Sequence, residues 1–265
     1  MNNLPTKFYK KRALELMRDT KPSPLLAGLF YFIIVGVITA LTPILSGSEG
    51  FAGVLRELQA AGRYDVSLAD IGALYQQHVH PGGMILSFAL NLCLITISVG
   101  FSWYCLNVAR GENPSVSSIF DGFGSFFKII WLQIVTGFFI FLWSLLLVVP
   151  GIIAAIRYSQ AIFIMRDHPE YGALDCIRAS KEMMRGNKGD FFGLQLSFIG
   201  WFFLSVLIMT VIQIVSQPGT LISTSLVSTF GSILNIWLNP YMEITMALFY
   251  VNLTGGGYYS GVYRD

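Results

Sequence analysis

Residues 191–242 read FFGLQLSFIGWFFLSVLIMTVIQIVSQPGTLISTSLVSTFGSILNIWLNPYM, and none of these residues is charged. A membrane core of about 30 Å is crossed by roughly 20 helical residues, and each charge within it makes insertion more costly. The run is therefore long enough for two crossings, and Gln217-Pro218-Gly219 supplies a turn near its middle. This stretch predicts two membrane-spanning helices joined by a short loop.

Uncharged runs elsewhere in the chain extend the same pattern. Four more runs contain no Lys, Arg, Asp or Glu: residues 22–48, 71–109, 129–156 and 244–263. Hydrophobic residues are 54% of the chain and charged residues 12%, a composition that excludes an ordinary water-soluble domain. Pro150-Gly151 divides one apolar stretch into a long and a short helix. We predict an all-α, polytopic membrane helical bundle with six transmembrane helices, at residues 25–46, 83–108, 127–149, 151–166, 191–216 and 228–253.

The positive residues predict the orientation of these spans, because short cytosolic loops collect Lys and Arg. Most of them lie before the first span or between residues 166 and 188, whereas Arg56 and Arg63 lie in the opposite loop. The alternative is that the fourth segment is re-entrant and does not cross the membrane. With one span fewer, however, the basic residues between 166 and 188 would lie on the extracytoplasmic side. We expect both termini in the cytosol, with four connecting segments: cytosolic amphipathic helices at 1–24 and 167–190, an extracytoplasmic loop at 47–82 and a flexible tail at 254–265.

Short internal matches suggest three hairpins in the same orientation. Residues 15–21 read ELMRDTK just before the first span, and residues 182–188 read EMMRGNK just before the fifth. At the entry to the third span, residues 124–127 read GSFF, which resembles GDFF at residues 189–192. Each match is short, so chance similarity is the alternative to a repeat. A true repeat would place a short cytosolic helix before each hairpin.

The two basic segments that precede the first and fifth spans have helical amphipathic patterns. In the second segment, one face carries Ala173, Cys176, Ile177, Ser180, Met183 and Met184, and the other carries Asp175, Arg178, Glu182 and Arg185. The spacing also favours surface ion pairs between Arg178 and Glu182 and between Asp175 and Arg178. In the first segment, an apolar face of Tyr9, Ala13, Leu16 and Met17 opposes Lys11, Glu15 and Arg18.

Two interpretations of these amphipathic helices remain open. They can lie at the headgroup level and fix the tilt of the following span, which is a structural role. They can also form a docking surface for a soluble partner or for anionic lipid.

Several motifs in the chain carry a family resemblance. The sequence contains SKEMMRGNK at residues 180–188, SFIGW at 197–201, NPYME at 239–243 and ALFY at 247–250. With Pro150-Gly151, Arg157-Tyr158 and the basic N-terminal helix, these motifs resemble the bacterial domain-of-unknown-function family numbered 975, over nearly the whole chain. The resemblance implies a multi-pass protein of the bacterial cytoplasmic membrane and brings no known activity. The loop at 47–82 is long for the family, and we predict two helices on the outer face, around 50–61 and 67–79.

Two charged residues fall within predicted spans. Arg157 and Glu243 each lie about 14–15 Å from the cytosolic end of their helix, at 1.5 Å per residue. Equal depth permits an ion pair, and Tyr158, Asn239 and Tyr241 could provide polar surroundings. The structural interpretation is a buried pair that holds two hairpins together. The functional interpretation is an intramembrane polar site for a proton, an ion or a lipid headgroup.

The sequence gives little support to catalysis, cofactor binding or metal binding. It contains no glycine-rich phosphate loop, no HExxH and no GxSxG motif. Cys93, Cys105 and Cys176 have no metal-ligand spacing, and His78-x-His80 is at most half of a zinc site. The small net charge of +2 argues against a nucleic-acid partner. We expect no enzyme, no cofactor and no metal centre.

Two functional classes follow from these observations. The first is an accessory or interaction protein that acts on lipids or on other membrane proteins, with the lipid bilayer and anionic lipids as partners. The second is a transporter or channel for a small solute, an ion or a lipid, using the polar site around Arg157 and Glu243. A solvent-accessible cavity that reaches both residues would favour the transporter.

Overall fold

The computed structural model describes residues 4–60, 62, 67–215 and 221–255. Within these ranges the chain forms helices and no strand, as the all-α prediction requires. A 3-10 helix, Val116–Ser125, lies between the fifth and sixth α-helices. The α-helices are α1 Thr6–Asp19, α2 Pro24–Ser46, α3 Ser48–Ala60, α4 Leu68–His78, α5 Pro81–Ala109, α6 Phe126–Leu146, α7 Val148–Tyr158, α8 Ala161–Asp167, α9 Ala173–Met183, α10 Lys188–Val215 and α11 Leu221–Leu253.

Five helical segments of the described chain are long and apolar enough to cross a membrane: Pro24–Ser46, Pro81–Ala109, Val116–Leu146, Val148–Asp167 and Lys188–Val211. These segments confirm the predicted class, a polytopic helical bundle. The sixth predicted span coincides with α11, a helix of 33 residues that contains part of the uncharged run. The count of six spans stays a prediction, and the predicted turn at residues 217–219 lies outside the described residues.

The chain divides into two compact units. The first comprises Met1–Phe32 and Ile97–Asp265. In this unit α1 packs on α11 and α10, and α6 forms a close hairpin with α7. The core of this unit is strongly aromatic, and its fully buried side chains include Phe101, Tyr104 and Tyr250. All of the residues discussed below as functional candidates belong to this first unit.

The second unit comprises Ile33–Thr96 and contains α3 and α4, which lie at the two segments where the sequence predicts helices. The hydroxyl of Ser87 donates to the carbonyl oxygen of Thr42 at 3.0 Å. The backbone N–H of His80 donates to the carbonyl oxygen of Ser46 at 3.1 Å. Gly47 lies between α2 and α3 with a φ of 74°, a conformation that favours glycine. The position of α3 and α4 on an outer membrane face stays a prediction.

The helix break near Pro150-Gly151 occurs a few residues earlier than predicted. Leu147 has extended backbone angles and separates α6 from α7, so Pro150 lies in the first turn of α7. Proline is tolerated in a first turn because the N–H it lacks would have no partner there. A Cβ on Gly151 would lie 2.1 Å from Ser144 Oγ and 3.0 Å from Ser144 Cα. Glycine therefore permits the close approach of α6 and α7.

The fourth predicted span also has a break. α7 ends at Tyr158 and α8 begins at Ala161, with Ser159 and Gln160 between them. Gln160 is fully buried, so the break lies inside the protein. Irregular backbone at such a place needs local hydrogen-bond partners, which are described below.

The predicted faces of the amphipathic helices are confirmed. In α1, Tyr9, Ala13, Leu16 and Met17 are the buried residues. In α9, Ala173, Cys176, Ile177 and Ser180 are buried. One predicted ion pair of α9 is present, Arg178 with Asp175 at 3.5 Å, whereas Glu182 pairs with Arg185 at 3.6 Å. The predicted pair between Arg178 and Glu182 is therefore wrong.

The packing of Gly151 predicts the effect of a single added methyl group. We expect Gly151→Ala to lower the free energy of unfolding by about 1–3 kcal/mol, because the methyl group meets Ser144 and forces α6 and α7 apart. Thermal unfolding of the purified protein in detergent measures this change. Gly137→Ala in α6 is the matched control, since among the described residues its added Cβ would have no neighbour within 4 Å beyond the adjacent residues and backbone of its own helix. Equal melting temperatures for the two variants would contradict the prediction.

Candidate functional site

Glu243 lies in α11 and faces α5. Its Oε2 accepts a hydrogen bond of 2.9 Å from the hydroxyl of Ser102. Both residues are half-buried, and Ser102 is one turn from the fully buried Cys105. Ser102 was not among the residues expected near Glu243, because nothing in the sequence relates positions in α5 and α11. The polar partner of this intramembrane carboxylate is therefore a hydroxyl.

Pro240 interrupts the backbone hydrogen bonds of α11 one turn before Glu243. The carbonyl oxygen of Ile236 loses its usual donor, because proline has no N–H. α2 approaches α11 at this point: a Cβ on Gly28 would lie 3.1 Å from the Ile236 oxygen and 2.7 Å from Pro240 Cγ. Gly28 has a Cα hydrogen where other residues have a Cβ, and this hydrogen points towards the Ile236 oxygen. The arrangement is that of a weak C–H···O hydrogen bond.

The other residues predicted for the intramembrane site are divided between two places. Tyr241 is buried, and its ring packs against Phe198 at a centroid distance of 5.3 Å. Asn239 is half-buried in the same helix. Tyr158 lies on α7, where its ring contacts that of Phe139 at 6.3 Å. The structure therefore places Tyr241 and Asn239 with Glu243 on α11, and Tyr158 with Arg157 on α7.

Arg157 borders a different environment. No ion pair between Arg157 and Glu243 occurs in the part of the chain that the structure describes. Arg157 instead lines a cavity of about 320 Å³ whose other lining residues are Lys181, Glu182, Arg185 and Lys188. We call this the basic cavity. Within the described residues, the Nε of Arg157 is buried without a hydrogen-bond partner.

Ser180 holds the backbone beside the basic cavity. Its hydroxyl donates to the carbonyl oxygen of Arg157 at 2.8 Å and accepts from the backbone N–H of Gln160 at 3.2 Å. Both groups are at the break between α7 and α8, so a side chain of α9 supplies the hydrogen bonds that the helix lacks. This contact ties α9 to α7, and it brings the last turn of α9 next to Arg157.

A second charged cluster joins α5, α8 and α11. The guanidinium of Arg110 donates to both carboxylate oxygens of Asp167, at 2.6 and 2.7 Å. The hydroxyl of Tyr250 donates to the same carboxylate at 2.7 Å. Arg166 pairs with Asp121 at 3.1 Å. Each of these charges has an opposite partner, so the cluster fits a structural clamp between helix ends.

α1 is tied to the ends of α10 and α11 by polar side chains on its buried face. The side-chain N–H of Asn252 donates to the hydroxyl oxygen of Tyr9 at 2.9 Å. Burial and then the charge of Asp190 raise the pKa of Tyr9 to about 12, against the lowering effect of the Asn252 hydrogen bond. The Nζ of Lys10 donates to the carbonyl oxygen of Ser197 at 2.7 Å, and burial lowers the pKa of Lys10. These contacts fix α1 to the bundle.

The two candidate sites differ in what they can bind. Glu243 and Ser102 provide one carboxylate and one hydroxyl, which suffice to hold a proton. The basic cavity provides two guanidinium groups and two ammonium groups around one carboxylate, a donor set that suits a phosphate or carboxylate anion. No group of three or more His, Cys, Asp or Glu side chains that could hold a metal occurs in the described parts of the chain.

The contact between Ser102 and Glu243 predicts a cost for removing the hydroxyl. We expect Ser102→Ala to lower the free energy of unfolding by about 1–3 kcal/mol, because it leaves a carboxylate without its hydrogen-bond donor. Thermal unfolding in detergent measures the effect. Ser98→Ala, one turn earlier on α5 at an exposed position, is the control. A loss of equal size in both variants would show that the Glu243 contact contributes nothing.

Comparisons with known proteins add one finding. The model of a family described as a protein of unknown function, DUF975, matches residues 145–256. The match includes Arg157, the basic cavity and Glu243 but not α1, so it covers less of the chain than the sequence motifs suggested. No curated protein and no solved structure matches the chain. Over this region, the chain is similar to the DUF975 family, as the sequence motifs suggested.

Proposed function

We propose that this chain is a non-enzymatic accessory protein of the bacterial cytoplasmic membrane that binds anionic lipid at its basic cavity. In this proposal the chain has six spans, and both termini lie in the cytosol. The basic cavity then opens at the cytosolic headgroup level. The buried, unpartnered Nε of Arg157 is the observation that carries the proposal.

The charges of the basic cavity favour an anion. Four cationic side chains line it, and one carboxylate, Glu182, opposes them. Glu182 is already in contact with Arg185 at 3.6 Å, but both side chains are largely exposed and the pair is weak. Arg157, Lys181 and Lys188 therefore contribute uncompensated positive charge to the cavity. A phosphate group would neutralise this charge and reduce the repulsion between the three cations.

The position of Arg157 strengthens the argument. Its backbone is fixed by Ser180, and its Nε is out of contact with solvent. A buried donor without a partner costs about 1–3 kcal/mol, so such a group calls for an explanation. A bound anion would offset part of this cost, because an oxygen in the cavity can accept from the same guanidinium that Arg157 presents to it.

The location of the cavity supports a lipid as the source of the anion. α9 lies between the predicted fourth and fifth spans, in the segment that carries the second basic cluster. Clusters of Lys and Arg next to a span bind the anionic headgroups of the cytosolic leaflet. The apolar face of α9 packs against α6, α7 and α8, so the charged face of this helix is the one that remains exposed.

This proposal predicts a selective loss of lipid binding. We expect Arg157→Gln to weaken the affinity of the purified chain for phosphatidylglycerol by about 10- to 100-fold, the value of one charge-assisted hydrogen bond. Titration of lipid into the detergent-solubilised protein, followed by native mass spectrometry, measures the affinity. Phosphatidylcholine serves as the uncharged comparison lipid.

Arg178→Gln is the matched control, since Arg178 lies on α9, which borders the basic cavity, but does not line that cavity, and its side chain is 76% exposed. It should bind phosphatidylglycerol as the unaltered chain does. Equal binding of both lipids by the unaltered chain would overturn the proposal, as would an Arg157→Gln variant of normal affinity.

A transport function is the second candidate, favoured by the half-buried Glu243 beside the Pro240 break. If Glu243 carries a proton, Glu243→Gln should abolish proton-coupled flux in proteoliposomes while the folded yield stays normal. The change retains a side chain that can bond to Ser102, so folding is a fair control. Identical flux in both proteins would exclude this role for Glu243.

A further inference from the structure

A cleft lies between α10 and α11, in the part of both helices that is predicted to span the membrane. Its volume is about 450 Å³, and its walls are mainly apolar, with Ile199, Phe202, Val206 and Met209 contributed by α10. Gln195 is the polar residue nearest the start of α10. Phe202 is 64% exposed and Val206 45% exposed, so this wall is accessible from outside the protein.

The cleft and the basic cavity are connected by one stripe of α10. Lys188, which lines the basic cavity, is followed by cleft residues at steps of seven, four, three, four and three: Gln195, Ile199, Phe202, Val206 and Met209. Such steps keep side chains on one face of an α-helix. A single face of α10 therefore begins with a cation, continues with an amide and ends with apolar side chains.

The dimensions of the stripe match a lipid. Gln195 lies about 10 Å along the helix from Lys188, and the cleft residues of α10 extend about 21 Å further, at 1.5 Å per residue. One leaflet of the hydrocarbon core is about 15 Å thick. An acyl chain that starts at the headgroup level near Lys188 would therefore reach this wall about 10 Å along the helix and run beside it for the rest of its depth in the leaflet.

We propose that the basic cavity and the α10–α11 cleft form one site for an anionic glycerophospholipid, with the phosphate at Arg157 and Lys188 and one acyl chain in the cleft. This inference rests on the proposed function and names its ligand class. Charge complementarity selects the headgroup, and the apolar wall on the same helix face selects the tail. A free phosphate ion would use the cavity but leave the cleft without a role.

The experiment uses the full chain in nanodiscs of phosphatidylcholine that contain a minor fraction of phosphatidylglycerol. A photoreactive benzoylphenylalanine replaces Phe202 in the cleft or Leu207 on another face of α10, which is 60% exposed. Mass spectrometry then gives the ratio of the two lipids among the adducts. We expect the ratio of phosphatidylglycerol to phosphatidylcholine at position 202 to exceed that at 207 about tenfold. Arg157→Gln should reduce it to the value at 207.

A second measurement requires no substitution in the cleft. The affinity of the unaltered chain is measured for inorganic phosphate, for phosphatidylglycerol with short acyl chains and for the long-chain lipid. Affinity should rise at least about tenfold from the short to the long chains. Equal affinity for phosphate and the long-chain lipid would overturn the inference and identify the ligand as a soluble anion.

The outcomes separate this inference from the proposed function. Equal adduct ratios at 202 and 207, with phosphatidylglycerol binding that still depends on Arg157, would place the acyl chain elsewhere and leave the proposed function standing. Loss of the Arg157 dependence would overturn both. Val206→Trp, compared with Leu207→Trp, provides a further check, because the first change fills the cleft and should weaken long-chain binding only.

Discussion

Hydrocarbon offers no hydrogen-bond partner, so each backbone group released by a helix break inside a membrane needs a partner from the protein. Two breaks concern the candidate sites, one between α7 and α8 and one at Pro240 of α11, and Pro43 inside α2 is a further one. Ser180 serves the break between α7 and α8 by bonding to the carbonyl of Arg157 and the N–H of Gln160. Gly28 approaches the carbonyl that Pro240 leaves free on α11. Both breaks therefore determine which helices are neighbours, since each partner comes from another helix.

The first of these contacts also positions the basic cavity. Because Ser180 lies in α9, its bonds to the α7–α8 break draw α9 against α7. Lys181 follows directly, and Lys188 begins α10 after a short turn. Lys181, Arg185 and Lys188, which are close to one another in the sequence but distant from Arg157, thus converge around it. The contacts of Ser180 therefore have two effects: they satisfy the backbone groups at the helix break, and they bring the positive side chains together.

The sequence predicted features that depend on local spacing, and missed those that depend on how helices rotate against each other. The buried faces of α1 and α9 follow from periodicity alone, so they were predicted correctly. The sequence also predicts that Arg157 and Glu243 lie at equal depth along their helices. Equal depth, however, does not determine towards which neighbouring helix each side chain points. Glu243 faces Ser102 of α5, and Arg157 faces the end of α9. The contacts of Asp167 with Arg110 and Tyr250 join distant positions and had no sequence signal.

The two polar sites differ in how fully their polar atoms are hydrogen-bonded, and for this reason we propose binding rather than transport. Glu243 has a hydroxyl partner at 2.9 Å and aromatic packing at the adjacent Tyr241. A proton carrier must exchange its partner during each cycle, and a well-made hydrogen bond opposes that exchange. Arg157 has the opposite character: its Nε lacks a partner and its side chain borders a cavity that other cations also line. In the proposed function, a phosphate that enters the cavity reduces the repulsion among those cations. In the same proposal, the apolar stripe that leads away from Lys188 favours a lipid over a free ion, because only a lipid would occupy both the cavity and the cleft.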